Sequence, residues 1–329
     1  MLLKKLTIEN PMYLGEFMKR MKICFVGIGS IAKRHIFNIK NFLNDEFEVE
    51  IDAYRSNKSP LSSDISDYID NQYFDYETLP KDYDAIFITN PTRFHYDTLK
   101  LFKDNSDNFF IEKPIVDILD IDLDFDEFKS KNCYVACPIR HGNVVKYLKE
   151  NINLAEINSV RCICSTYLPE WHPNEDYTKS YSAKKELGGG VSIDLIHEWD
   201  YLTYLFGKPT KVFSILDKVS NLEIDTEDIA IYIAKYKEFL LELHLDYFGR
   251  YPIREIMIFK DDETIVADIL NNKITYKNEE RIIDFNEERN DYQIEELKYF
   301  FKLINGDVDN INDIGNAINV MILTQGELK

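Results

Sequence analysis

The chain has 329 residues, 45% of them hydrophobic and 13% aromatic, enough to fill two cores at roughly 100–200 residues per domain. Its 39 Lys and Arg against 58 Asp and Glu leave a net charge of −19, and a surface that acidic repels phosphate backbones and anionic lipid, so no nucleic-acid or membrane partner is expected. No apolar run reaches the roughly 18–20 residues of a transmembrane helix, and Leu6–Pro11 is no secretory leader core.

The five cysteines, an odd number lying mostly in strand-like runs, read as reduced thiols of a cytoplasmic protein. Cys162 and Cys164 have no matching pair elsewhere, so no metal site is expected.

Residues 1–20 read as an N-terminal extension. From 21 to 140, apolar runs alternate with helical stretches. The runs are Ile23–Val26, Val49–Tyr54, Ala85–Ile88, Phe109–Ile111 and Tyr134–Ala136. Such near-continuous apolar strands predict a parallel sheet covered on both faces, a doubly wound α/β Rossmann domain. From 141 to 329 the rhythm changes. A helix near Val144–Glu150 and a strand at Val160–Leu168 precede a polar, aromatic loop and a helix over Ser192–Phe206. Closely spaced strands follow at Lys211–Leu216, Asp228–Tyr236, Phe239–Tyr247, Arg254–Phe259, Glu263–Asp268 and Lys273–Lys277. Helices near Asp291–Ile304 and Ile311–Leu323 close the chain. This second part predicts an α+β domain with a large open, mainly antiparallel sheet.

Glycine is scarce and placed with care. There are 12 where average usage of about 7% would give roughly 23. Five of the 12 form two clusters, Gly27/Gly29 and Gly188–Gly190. The first lies between a strand and a helix, in Val26-Gly27-Ile28-Gly29-Ser30-Ile31-Ala32, the setting of a dinucleotide turn. Gly27 permits the turn, Gly29 lets a pyrophosphate approach, and the helix start at Ser30 and Ile31 supplies free amides. The tip of the second strand reads Tyr54-Arg55-Ser56-Asn57-Lys58. Arg55 and Ser56 could hold a 2′-phosphate, which favours NADP; NAD returns if the strand ends early enough to free Asp52 for the ribose.

The second cluster leads into Val191-Ser192-Ile193-Asp194-Leu195-Ile196-His197. On one continuous helix, Asp194, His197 and Tyr201 would share a face while Leu195, Trp199, Leu202 and Phe206 line a buried stripe. Asp194 and His197 read either as a proton-transferring pair or as a core histidine with its partner.

Three further segments join these clusters in order: Thr89-Asn90-Pro91-Thr92-Arg93-Phe94-His95, Ile111-Glu112-Lys113-Pro114 and Arg140-His141. The series resembles the glucose–fructose oxidoreductase/inositol dehydrogenase/rhizopine-catabolism (Gfo/Idh/MocA) family of NAD(P)-dependent oxidoreductases over residues 21–329. The resemblance implies a C-terminal sheet that mediates a homodimer or homotetramer. It implies a cofactor site reached by Asn90, Pro91, His95, Glu112 and Lys113, with Lys113 facing both nicotinamide and substrate. It places the catalytic Asp and His on Asp194 and His197, spaced by three where many members have four. The segment Tyr167–Tyr177 with Tyr181-Ser182-Ala183 is similar to a subset linked to surface-carbohydrate biosynthesis.

Trp171, Tyr177 and Tyr181 could stack on a sugar ring with Arg140 on its hydroxyls or an acidic group, or could simply pack. The expected activity is interconversion of a secondary alcohol and a ketone on a sugar, nucleotide sugar or sugar-derived acid. His197 would be the acid/base and Lys113 its electrostatic partner, or the two roles would be reversed, and Asp194 would orient the imidazole or bind a hydroxyl. Two rivals are a redox-neutral epimerase or lyase with tightly held NAD, and a dinucleotide-sensing regulator without activity.

Overall fold

The computed structural model describes residues 19–43, 47–119 and 123–326. The expected N-terminal extension lies outside these residues except for its last two. They belong to the first strand, because Lys19 and Arg20 already pair with Phe47 and Glu48.

Six parallel strands form the first sheet: β1 (Lys19–Val26), β2 (Phe47–Tyr54), β3 (Asn71–Tyr73), β4 (Ala85–Ile88), β5 (Asn108–Ile111) and β6 (Asn132–Val135). Their order is β3-β2-β1-β4-β5-β6. The chain therefore reverses winding between β1 and β4, the crevice where doubly wound sheets bind ligands. Helices α1 (Ser30–Asn38), α2 (Ser63–Ser66) and α3 (His95–Leu101) connect these strands. All four residues of β4 are buried, as a strand covered on both faces requires.

After α4 (Asn143–Asn151) the chain builds an eight-stranded sheet from β7 (Ile157–Tyr167), β8 (Lys211–Asp217), β9 (Ile229–Lys235), β10 (Leu240–Asp246), β11 (Phe248–Lys260), β12 (Thr264–Asp268), β13 (Lys273–Tyr276) and β14 (Arg281–Asp284). The order is β14-β13-β12-β11-β7-β10-β9-β8, and every neighbouring pair is antiparallel except β7 with β10. One face packs into the core through Ala230, Tyr232, Ala234, Leu241, Leu243 and Leu245. Alternation puts Phe213, Ile215, Ile231 and Ile233 on the other face, where all four are exposed.

The helix expected over Ser192–Phe206 is two helices, α5 (Val191–Asp194) and α6 (His197–Phe206). Leu195 leaves the helical region at ψ 30°, so Asp194 and His197 lie on opposite sides of a break rather than on one helical face. Leu195, Trp199, Leu202 and Phe206 are buried as expected, but Tyr201 is buried too, its hydroxyl 3.2 Å from Cys162 Sγ. The last two helices are α7 (Asp291–Ile304) and α8 (Ile314–Thr324). Phe300 of α7 meets Phe87 and Phe110 edge-on at 5.5 and 5.3 Å, so a late helix completes the core of the first sheet. All five cysteines are free and buried. Among the described residues no helix is long and apolar enough to cross a membrane.

Candidate active site

The first wall of the site is the turn after β1. Gly27 has φ +87°, and a Cβ there would stand 2.9 Å from the Asn90 backbone; only glycine lets the β1 and β4 loops close together. At Gly29 a Cβ would meet nothing within 4 Å. Gly29 and Ser30 are exposed, Ile31 is half-buried, and α1 starts without a side-chain cap. An open glycine before an uncapped helix start suits a pyrophosphate. These residues fit a dinucleotide.

Asp52 is fully buried and accepts hydrogen bonds from Asn71 Nδ2 and Tyr83 OH, both at 2.8 Å, so it is no ribose ligand. Arg55 caps the strand, donating to Gln72 Oε1 and the Ser59 carbonyl at 2.7 Å each, and Ser56 beside it is exposed.

Below the turn, His95 is buried with its two ring nitrogens 2.9 and 3.0 Å from the carbonyls of Asn90 and Pro114. Burial pulls its pKa below the ordinary value. Donating from one nitrogen to one of these carbonyls, it packs between the Asn90-Pro91 and Glu112-Lys113-Pro114 loops. The Glu112 carboxylate is also committed, to His35 Nε2 at 2.6 Å and to the Lys113 amide at 3.2 Å.

The second wall is the α5–α6 break. A narrow cleft is lined by Lys113, Pro114, Ile196, His197, Asp200 and Asn312. Lys113 Nζ donates to the Asp194 carbonyl at 3.2 Å, and Glu198 N turns to Leu195 O instead. His197 has no side-chain hydrogen-bond partner among the described residues. Burial, then the charges of Lys113 and Arg254, push its pKa well below the ordinary value. The ring is therefore neutral at neutral pH, and not poised near it as an untuned histidine would be. Asp194 is buried. Its Oδ2 accepts the Tyr247 hydroxyl, and its Oδ1 has no partner. Burial and the Asp194 charge keep Tyr247 a neutral donor.

The glycine cluster before α5 is not a flexible tether. A Cβ on Gly189 would lie 2.0 Å from the Tyr181 carbonyl, and one on Gly190, at φ +136°, 2.2 Å from Glu227 Oε1. Glu227 also accepts the Ser192 hydroxyl at 2.7 Å. The glycines let three backbone segments meet behind Asp194.

Of the aromatic loop, Trp171 donates to Thr166 Oγ1 at 2.8 Å and packs edge-on against Tyr247 at 5.5 Å. Tyr177 accepts the Glu223 amide at 3.2 Å, and Tyr181 is exposed. Arg140, read from the sequence as a substrate contact, is buried instead. It forms a two-pronged pair with Asp200 at 2.7 and 2.9 Å and donates to Ile311 O and Asn312 Oδ1, so its guanidinium braces α6 beneath the cleft. Sequence reading missed Glu227 and Tyr247, and gave His35 no role beyond sitting near the cofactor turn. His35, one turn past the glycines, was the most accessible of them. The others come from distant strands and carry no local motif.

A doubly wound sheet with an open glycine turn, facing a lysine and a neutral histidine across a cleft, defines a dinucleotide-dependent oxidoreductase fold. Residues 21–136 match the family described as "Oxidoreductase family, NAD-binding Rossmann fold" (GFO_IDH_MocA), and residues 145–265 match its C-terminal domain. The chain belongs to this family. It is 28% identical over 202 residues to the uncharacterized oxidoreductase YrbE of Bacillus subtilis (strain 168); the match covers 60% of this chain, and the chain spans 57% of that relative's length. Solved structures share the fold. UDP-N-acetylglucosamine 3-dehydrogenase GnnA from Acidithiobacillus ferrooxidans is 17% identical, with 94% of this chain and 96% of that one covered and a TM-score of 0.74. Myo-inositol 2-dehydrogenase from Lactobacillus plantarum is 16% identical, with 93% and 96% covered and a TM-score of 0.72. A levoglucosan dehydrogenase complex with NADH is 15% identical, with 93% and 95% covered and a TM-score of 0.77.

Proposed function

We propose that this protein is an NAD(P)-dependent dehydrogenase that interconverts a secondary alcohol and a ketone on a sugar or sugar derivative. The observation that carries this reading is the convergence of Lys113, His197 and Asp194 beside the open glycine turn. The nicotinamide, when bound, supplies the hydride acceptor or donor. His197, neutral at the cleft, takes the hydroxyl proton during oxidation and returns it during reduction. Lys113 lowers the energy of the oxyanion at that oxygen. Oδ1 of Asp194, which has no hydrogen-bond partner among the described residues, accepts a second substrate hydroxyl, and Tyr181 adjoins that carboxylate. Dehydrogenases acting on cyclic polyols and sugars among the structural relatives support the substrate class.

The preferred cofactor is NADP, because Asp52 near the β2 tip is buried and engaged by Asn71 and Tyr83, while Arg55, Ser56 and Lys58 follow it. The exposed face carrying Phe213, Ile215, Ile231 and Ile233 joins a second copy of the chain, since an apolar patch of this kind on a −19 protein calls for cover. The five buried thiols suit a cytoplasmic setting.

Fluorescence titration with NADPH and NADH, followed by a panel of sugars, sugar acids and nucleotide sugars read by nicotinamide absorbance, tests the activity. Tighter NADPH binding and turnover of one sugar class are expected. Failure to bind either nucleotide would overturn the reading, and tighter NADH binding would remove the NADP preference. Sedimentation of Ile215→Glu tests the interface: the parental chain should run as a dimer or tetramer and the variant as a monomer.

A further inference from the structure

His35 lies outside everything assigned so far, yet it ties the helix after the glycine turn to the loop that carries Lys113. It is 1% exposed, on α1 one turn beyond the glycine turn, and its ring packs edge-on against Phe110 of β5 at 5.0 Å. Its Nε2 lies 2.6 Å from Glu112 Oε1, and Glu112 Oε2 accepts the backbone N–H of Lys113 at 3.2 Å. A continuous chain of contacts thus runs from α1 through one carboxylate to the backbone of the lysine that faces the cleft.

The hydrogen-bond inventory fixes the direction. A carboxylate only accepts, so Nε2 carries the proton it donates to Glu112. Nδ1 is buried with no partner. The one side-chain hydrogen bond of the ring among the described residues is therefore the Nε2–H donated to Glu112. Both Glu112 oxygens are then used inside the protein. A carboxylate so committed holds the turn at Lys113 rather than reaching for a ribose.

We infer that His35 and Glu112 are positioning residues that set the Lys113 ammonium toward the nicotinamide through the backbone of residue 113. The inference rests on the proposed role of Lys113. It separates binding from alignment: the phosphates are held at Gly27–Ile31, so loss of His35 leaves nucleotide affinity nearly intact and displaces the lysine.

The test uses the full chain and NADH or NADPH alone, whichever binds tighter, with the dissociation constant and the emission spectrum of the bound nucleotide as readouts. Lys113→Met sets the spectrum of a site without the ammonium. His35→Leu is expected to bind within about threefold of the parental protein yet give the Lys113→Met spectrum. His35→Gln, whose amide N–H₂ reaches the Nε2 position, should restore the parental spectrum. Glu112→Gln keeps one acceptor oxygen where two are used, so the His35 Nε2–H and the Lys113 N–H can no longer both be satisfied; it should give the Lys113→Met spectrum whether or not His35→Leu folds. A parental spectrum in Glu112→Gln or His35→Leu overturns the inference. So does equal impairment of His35→Leu and His35→Gln, which would make packing on Phe110 the whole role. A Lys113→Met protein indistinguishable from the parental one instead removes the proposed role of Lys113, and with it this inference.

Discussion

The ammonium of Lys113 lies 3.2 Å from the carbonyl oxygen of Asp194, inside the gap where α5 ends and α6 has yet to begin. An unbroken helix would commit that oxygen to the amide four residues on. The break frees it, and it holds a cation of the first sheet's loop at the mouth of the second sheet's helix. Replacing Lys113 by Met removes the charge opposite the developing oxyanion. The hydride-transfer rate in single turnovers should fall about 10²–10³-fold, with nucleotide affinity within a few-fold. An unchanged rate would take Lys113 out of the chemistry.

The neutral state of His197 has a pH signature. Its pKa lies well below the ordinary 6.5, first because it is buried and then because Lys113 and Arg254 are cationic. A base works when deprotonated, so lowering its pKa moves the acid limb of kcat/KM downward and leaves the alkaline side untouched. The alcohol-oxidation profile should stay flat from about pH 8 to below about pH 6. Removing the Lys113 charge should shift the remaining acid limb back upward. A limb centred at or above the ordinary histidine value would assign the base to another group.

Tyr247 donates a hydrogen bond to Oδ2 of the buried Asp194 carboxylate. Tyr247→Phe keeps the ring that Trp171 packs on and removes the hydrogen bond to Oδ2 in a buried setting. That costs about 1–3 kcal/mol, felt where Asp194 meets the substrate. The expected result is a rise in KM with a smaller change in kcat, and an overall loss of about 10–100-fold in kcat/KM. Equal parental and variant KM values would show that Asp194 needs no such support.

How much of this was legible in the sequence depends on distance along the chain. The strands β1, β2, β4, β5 and β6 announce themselves by apolar runs, and the turn at Gly27 by its place between strand and helix. β3 and β14 have no such run: Asn71–Tyr73 is polar, and Arg281–Asp284 is an edge strand of four residues. The pattern of Ser192–Phe206 was helical throughout, and the interruption at Leu195 goes with a lysine 81 residues earlier. Arg140 looked free because its partner Asp200 lies 60 residues later. The apolar face of α7 was readable, but not that it would cover the first sheet, where its phenylalanines meet Phe87 and Phe110. Local chemistry was visible; the pairings that turn it into a site were not.

Gly190 gives the sharpest test of the loop behind Asp194. Its φ of +136° is strained for any side chain, and a Cβ would sit 2.2 Å from Glu227 Oε1. Glu227 has little room to retreat, since it accepts the Ser192 hydroxyl and its own carbonyl accepts the Val191 amide. Gly190→Ala therefore adds backbone strain of about 1–3 kcal/mol to a comparable overpacking cost. Denaturant unfolding should show a loss of at least about 2 kcal/mol. Gly29→Ala provides the contrast, because open space surrounds it: stability should stay within about 1 kcal/mol while nucleotide affinity drops, the methyl standing where the pyrophosphate must approach. If the two variants exchanged these phenotypes, the glycines would have been assigned to the wrong tasks.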